Sequence, residues 1–286
     1  MKKLKLSIVF IVIVLFQSCK KDEVIVEPSQ FADIEDVVSS FQGNRESDIV
    51  IVNTQGGPVT TAEDGFITDI MKGTKTENVL WVNVHQVQTR SPEKFKTEDI
   101  TFEQAKTYDA ESIANLKKVV TYFKEELHKK VYVLGISFGA FMTQELISKH
   151  GSGVADKYCI MVGRLNIDEK LWNGFSNGQG GGYTYDADGN FTIILEDQED
   201  VKERNMSRLA AGLGHKRYMS EWNTITNLDK VTYIFGDRDE QVGALTVDEA
   251  NFLRNKGAKV LFVEGGNHSE TIDAGLIKLK DIFGIE

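Results

Sequence analysis

The chain has 286 residues, 41% hydrophobic and 27% charged, with 25 glycines and 3 prolines, a balance that excludes disorder and collagen-like structure and fits one folded domain or at most two small ones. Its formal charge is −10 and no stripe of Lys and Arg is visible. That excludes nucleic acid as a partner, because phosphate binding needs clustered cations to displace counterions. Cys19 and Cys159 are the two cysteines, which rules out a disulfide scaffold and CxxC-type zinc or redox motifs.

Residues 1–18 carry Lys2, Lys3 and Lys5 and no acid, then an apolar run from Leu6 to Phe16, then Gln17-Ser18. At about 1.5 Å rise per residue this run is too short for a hydrocarbon core of roughly 30 Å, so a secretory signal peptide is expected, not a transmembrane helix. Removing three lysines and no acid would take the net charge from −10 to −13. Ser18-Cys19 at the end of the run resembles the lipobox of bacterial lipoproteins; Leu15 and Ser18 match, while Phe16 and Gln17 depart from the usual aliphatic and small residues. The resemblance implies acylation of Cys19 by palmitate-type chains and a tether over 19–30. With Lys20-Lys21-Asp22-Glu23, it implies an exported lipoprotein of the outer membrane or cell surface. Acyl chains contributing about 0.8 kcal/mol per buried methylene would hold such a protein on a membrane. The alternative is an ordinary cleaved signal with a chance cysteine.

Residues 31–42 read as helical. From Ser47 onward, continuous apolar runs of strand length occur at 48–52, 78–83, 130–134, 157–162, 231–235 and 259–263; runs of this kind are buried on both faces, as in a parallel sheet covered by helices. Ile113, Leu116, Val119, Val120, Phe123 and Leu127 recur at helical spacing and predict an amphipathic crossover helix. A second helix is expected from about Thr246 to Lys256, stopped by Gly257, and a third after His268. The alternation implies an α/β fold with a mostly parallel central sheet flanked by helices.

The rhythm fails at about 164–229. A glycine-rich piece, Asn177 to Gly182, precedes Tyr183-Thr-Tyr185, a turn at Asp186 to Asn190, and Phe191-Thr-Ile-Ile194; this reads as a β-hairpin, with a helix from Asp197 to Leu213 after it. Asp186-x-Asp188-Gly189 has the look of a calcium loop, but no acidic twelfth ligand follows in register, and a plain hairpin turn is the better reading. No metal or organic cofactor is implied.

Tyr132-Val-Leu-Gly135-Ile-Ser137-Phe-Gly139-Ala140 is a strand entering Gly-x-Ser-x-Gly and leaving as a helix. A serine at so tight a turn has a strained backbone, and small residues two positions either side remove clashes. At this point the chain resembles the α/β-hydrolase family, over about 47–286 apart from the insertion, which would form a cap after the family's sixth strand. The family's amino-terminal hairpin is not evident before Ser47, so a trimmed version of the fold is expected. The resemblance implies Ser137 as nucleophile, Asp239 in Gly236-Asp-Arg-Asp239 as triad acid with Asp237 as competing carboxylate, and His268 in Gly265-Gly-Asn-His268 as base. The oxyanion hole would use the backbone N–H groups of Phe138 and of Gly57, in Gln55-Gly-Gly57-Pro58, where Gln55 replaces the usual histidine.

The activity implied is serine hydrolysis of a small-molecule carboxylic ester through an acyl-enzyme. A peptidase or amidase of the same fold, suggested by Gly56-Gly57-Pro58, and a non-catalytic binding lipoprotein on a hydrolase scaffold are the alternatives. Trp172, Phe175, Tyr183, Tyr185, Phe191 and Trp222 either line the substrate pocket or pack a small cap core.

Overall fold

The computed structural model describes residues 30–285. Of the two units into which the chain divides, 1–32 and 33–286, the first is described only over the turn at 30–32, and every element below belongs to the second. The expected signal peptide, Cys19 and nearly all of the tether lie outside the described residues.

Seven strands form the main sheet: β1 (Val38–Gly43), β2 (Ile49–Thr54), β3 (Leu80–Val84), β4 (Lys130–Ile136), β5 (Lys157–Met161), β8 (Val231–Gly236) and β9 (Lys259–Val263), in the spatial order β1-β3-β2-β4-β5-β8-β9. All neighbours are parallel except β1, which runs antiparallel to β3. The six predicted apolar runs are β2, β3, β4, β5, β8 and β9. The seventh strand corrects the helical reading of 31–42, where only Glu35–Val37 form a single 3-10 turn. β1 is an edge strand, and its serines are polar for a local reason: Ser39 and Ser40 both donate to Asp64 Oδ1, at 2.8 and 2.6 Å. It also supplies an antiparallel edge to a sheet expected to start at β2.

Alternating residues bury the two faces differently. Ile51, Trp81, Leu134, Cys159 and Met161 point into one core with Ile67 and Ile70 of the helix Asp64–Gly73 and Leu279 and Phe283 near the carboxyl terminus. The other face carries the crossover helix Phe102–Thr121 and the helix Phe138–His150. Cys159 is fully buried, and burial pushes its thiol well above the ordinary range. The helices Val247–Asn255 and His268–Ile277 both begin with capping boxes, Thr246 with Glu249 and Asn267 with Glu270, which satisfy orphan N–H groups of the first turn. Gly257 follows the first of these at φ +89°.

Between β5 and β8 the chain leaves the main sheet and builds the cap: a helix Glu169–Ser176, the hairpin β6 (Gly180–Tyr185) and β7 (Phe191–Glu196), and a helix Val201–Gly214. Half of the glycine run is therefore strand, not loop. At the hairpin turn, Asp186 Oδ1 accepts from the backbone N–H groups of Asp188 and Asn190, and Oδ2 accepts from the Asn190 side chain. Among the described residues, no group of His, Cys, Asp and Glu could hold a metal, and no helix is long and apolar enough to cross a membrane.

Candidate active site

Ser137 stands between the last residue of β4 and the helix Phe138–His150, with φ 55° and ψ −116°. A non-glycine residue at positive φ stores strain that its surroundings must hold. Here its N–H donates to the Met161 carbonyl at 3.0 Å and its carbonyl accepts from Ala140 at 2.8 Å. The flanking glycines are steric requirements. A Cβ on Gly139 would run into the Thr54 carbonyl oxygen, and one on Gly135 would meet the Thr143 hydroxyl and the Gly139 carbonyl.

Asp239 follows β8 and His268 opens the helix after β9. His268 Nδ1 lies 2.9 Å from each carboxylate oxygen of Asp239, and both side chains are almost wholly buried. Asp239 Oδ1 also accepts from the N–H groups of Gln241 and Val242, at 2.9 and 3.0 Å, which fixes the carboxylate on its loop. Glu240 Oε2 accepts from the His268 N–H at 3.1 Å. Asp237 does not meet His268. It faces a separate cavity of about 270 Å³ shared with Arg164, Tyr183 and Tyr185.

Ser137, Phe138 and Gly57 line one pocket of about 330 Å³, together with Phe141, Phe175 and Met206. Phe138 is the first residue of its helix, so its N–H has no intrahelical acceptor, and the helix dipole favours negative charge in front of it. A Cβ on Gly56 would sit 3.6 Å from the Ser137 Cβ, which shows how closely the Gln55–Pro58 loop approaches the serine. Gln55 is buried and holds that loop with both ends of its amide: Nε2 donates to the Thr61 carbonyl and Oε1 accepts from the Glu63 N–H, each at 2.9 Å. Its carbonyl accepts from Gln86 Nε2 at 2.9 Å. Gln55 is thus the internal clamp of this loop. Beneath it, Asn53 donates to Asn83 and Asn83 to Asp64, both at 2.9 Å. Burial alone would raise the Asp64 carboxyl, but hydrogen bonds from Ser40, Asn83 and Ser39 hold it below its ordinary value.

Of the six cap aromatics, only Phe175 lines the pocket with Ser137. Tyr183 is in the cap core with Leu171, Ile167 and Ile193, and Trp172 and Tyr185 pack against it. Phe191 is 55% exposed. Trp222 is fully buried and donates to the Gln144 carbonyl at 3.2 Å, so it packs on the helix after Ser137 instead of facing the pocket.

Sequence reasoning missed how the cap hairpin is stapled to the acid loop. The Tyr183 N–H donates to the Glu240 carbonyl at 2.7 Å, the Tyr185 hydroxyl to the Asp239 carbonyl at 3.0 Å, and Arg238 Nη1 to the Asp186 carbonyl at 2.8 Å. Gly182 is what permits this approach, since a Cβ there would collide with the Glu240 carbonyl. The glycine run Asn177 to Gly182 is the sequence signal for this close approach. At the base of the cap, Arg164 and Glu249 form a buried ion pair at 3.1 Å, and Glu249 also accepts from the N–H groups of Asn166 and Thr246.

No protein-family model and no curated protein matches the sequence. Solved structures do resemble it. An alpha/beta hydrolase enzyme from a Medee basin deep-sea metagenome library superposes with a TM-score of 0.56 at 11% identity, covering 86% of this chain and 94% of its own. A structure of the metagenome-derived lipolytic enzymes LipS and LipT gives 0.53 at 11% identity, with 86% and 96% covered. Est1E from Butyrivibrio proteoclasticus, with ferulic acid bound, gives 0.52 at 14% identity, with 84% and 92% covered. Strand order, the serine turn after β4 and these superpositions agree: the chain has the α/β-hydrolase fold.

Proposed function

We infer that this protein is a serine hydrolase of carboxylic esters. The observation that carries the reading is the buried Asp239–His268 pair at 2.9 Å on the same rim of the sheet as a serine held at φ 55°. His268 takes the proton of Ser137 as its Oγ attacks the ester carbonyl; Asp239 orients the imidazole and stabilises its cation; the Phe138 and Gly57 N–H groups receive the developing oxyanion. Collapse of the tetrahedral adduct breaks the bond to the alcohol oxygen, which takes the proton from His268. Water then gives a proton to His268, attacks the acyl-enzyme and releases the acid and free Ser137. The fold neighbours described as lipolytic or as an alpha/beta hydrolase enzyme support this class of chemistry. The expected acylation of Cys19 would place the enzyme at the membrane surface, facing ester substrates outside the cytoplasm.

The test is a fluorophosphonate probe on the folded protein. Labelling of wild type and none of Ser137→Ala supports the reading; no labelling of wild type defeats it and leaves a binding protein. Faster turnover of aminoacyl amides than of esters of matched acyl group would reassign it as an amidase. For the anchor, the mass of the membrane-extracted native protein decides, and an unmodified Cys19 removes it.

A further inference from the structure

The pocket beside Ser137 does not end at the cap. Glu203, Met206, Ser207 and Ala210 fall on one face of the helix Val201–Gly214, and all four line the pocket, so its wall grades from apolar at Ala210 to charged at Glu203. The Ser207 hydroxyl donates to the Glu203 carbonyl at 3.1 Å, leaving its oxygen free to accept. Pro58, Met206 and Glu203 are shared with a second chamber of about 260 Å³, completed by Val59, Thr60, Thr61, Glu63 and Lys202. The two spaces therefore lie side by side, with Pro58, Glu203 and Met206 as their common wall. The chamber's floor is the stretch that Gln55 clamps, through the Thr61 carbonyl and the Glu63 N–H.

Their chemistry differs. Beside the serine stand Phe138, Phe141, Ile167, Phe175 and Val242. At about 330 Å³ this space is near the lower end of ordinary ligand pockets and fits a short acyl chain or a single ring. The second chamber offers two threonine hydroxyls, the Glu63 carboxylate, and Glu203 paired with Lys202 at 2.7 Å. Closely spaced donors and acceptors around a carboxylate suit hydroxyl groups, which both give and take hydrogen bonds, and the unpaired Glu63 charge disfavours an anion. The alcohol leaves in the first half of an ester hydrolysis, and Thr61 and Glu63, which are exposed, give this chamber a solvent-facing edge from which it can depart.

Resting on the reading of the site as an ester hydrolase, we propose that its substrate is an ester of a compact apolar acid with an uncharged polyhydroxylated alcohol, glycerol- or sugar-like, whose hydroxyls bind in the Thr60–Glu63 and Lys202–Glu203 chamber.

Ethyl butyrate, glyceryl monobutyrate, methyl glucoside monobutyrate, butyrylcholine and an anionic lactate butyrate share one acyl group and compare the alcohols directly. The wild-type enzyme is expected to favour a polyol butyrate over ethyl butyrate by roughly tenfold or more in kcat/KM, the scale of one hydrogen bond to a charged group. Glu63→Gln and Glu203→Gln should each cut that ratio several-fold, through KM for the polyol ester. A ratio near one, or preference for butyrylcholine or the lactate ester, overturns the polyol assignment; so does a ratio that neither variant moves. Because ethyl butyrate turnover and fluorophosphonate labelling are read in the same samples, loss of both instead condemns the hydrolase reading itself.

Discussion

All of β8 and β2 from Val50 to Thr54 is buried, whereas in the cap strand β7 only Ile193 is, and Phe191 lies 55% exposed. The sheet is held by continuous apolar burial on two faces, which is non-directional and proportional to area. The cap has a core of four buried residues of its own; besides the buried face of its long helix, Met206, Leu209 and Leu213, it is fastened to the body by directional contacts: the Arg164–Glu249 pair, Asn205 against 95–100, and the staples from β6 to the loop that carries Asp239. Burial tolerates no gap but leaves sequence freedom; directional fastening depends on a few particular atoms. The side chains proposed as catalytic belong to the first region and most of the pocket wall to the second, so turnover and selectivity should separate on mutation.

The largest effect expected is from Ser137→Ala, which leaves both regions folded and should lower kcat by on the order of 10⁵-fold or more; a loss below about tenfold, with an unchanged thermal melt, would put the nucleophile elsewhere. Glu249→Ala attacks the cap fastening at its base, stranding buried Arg164 and the N–H groups of Asn166 and Thr246. About 3–5 kcal/mol of stability should go, read by urea unfolding. Asn205 is fully buried and serves the Ile100 N–H and the Phe95 and Glu98 carbonyls at 2.8 to 3.0 Å. Asn205→Ala should cost about 2–3 kcal/mol and raise KM more than it lowers kcat, since it frees the cap helix without touching His268.

The smallest effect sharpens the comparison at the seam between the regions. Asp109 on the crossover helix is buried against Gly212 of the cap helix, in a cavity shared with Lys106, Glu145, Lys149, His215 and Lys216. Burial, reinforced by the Glu145 carboxylate and opposed by Lys149, holds its carboxyl well above the ordinary carboxylate range. The folded state therefore keeps a proton that the unfolded chain releases above about pH 4, and stability falls as pH rises from there towards the folded value. Asp109→Asn removes that slope. Its melting temperature relative to wild type should climb between pH 4 and pH 8; a constant offset would show that Asp109 does not titrate in this interval.

The six parallel strands were legible because strands covered on both faces must read as unbroken apolar runs. β1 was not, since its edge position lets Ser39 and Ser40 face Asp64, and that hydrogen bonding has no one-dimensional pattern. Gly135 and Gly139 announced the serine turn by their steric necessity. The choice between Asp237 and Asp239 needed coordinates: two residues apart on one loop, they separate only when the N–H groups of Gln241 and Val242 turn one carboxylate towards His268. Composition marked the cap as irregular, but which of its aromatics met the pocket depended on a backbone path that local sequence does not encode.

The fastening of β6 to the Asp237–Val242 loop bears on redesign. A cap of this kind is not a module that can be exchanged at its two connections to the sheet. A chimera carrying a foreign hairpin would strip the Tyr185 hydroxyl from the Asp239 carbonyl and the Tyr183 N–H from Glu240. Transplantation would have to bring the donor's matching loop along, so that new selectivity arrives with its own alignment of the acid.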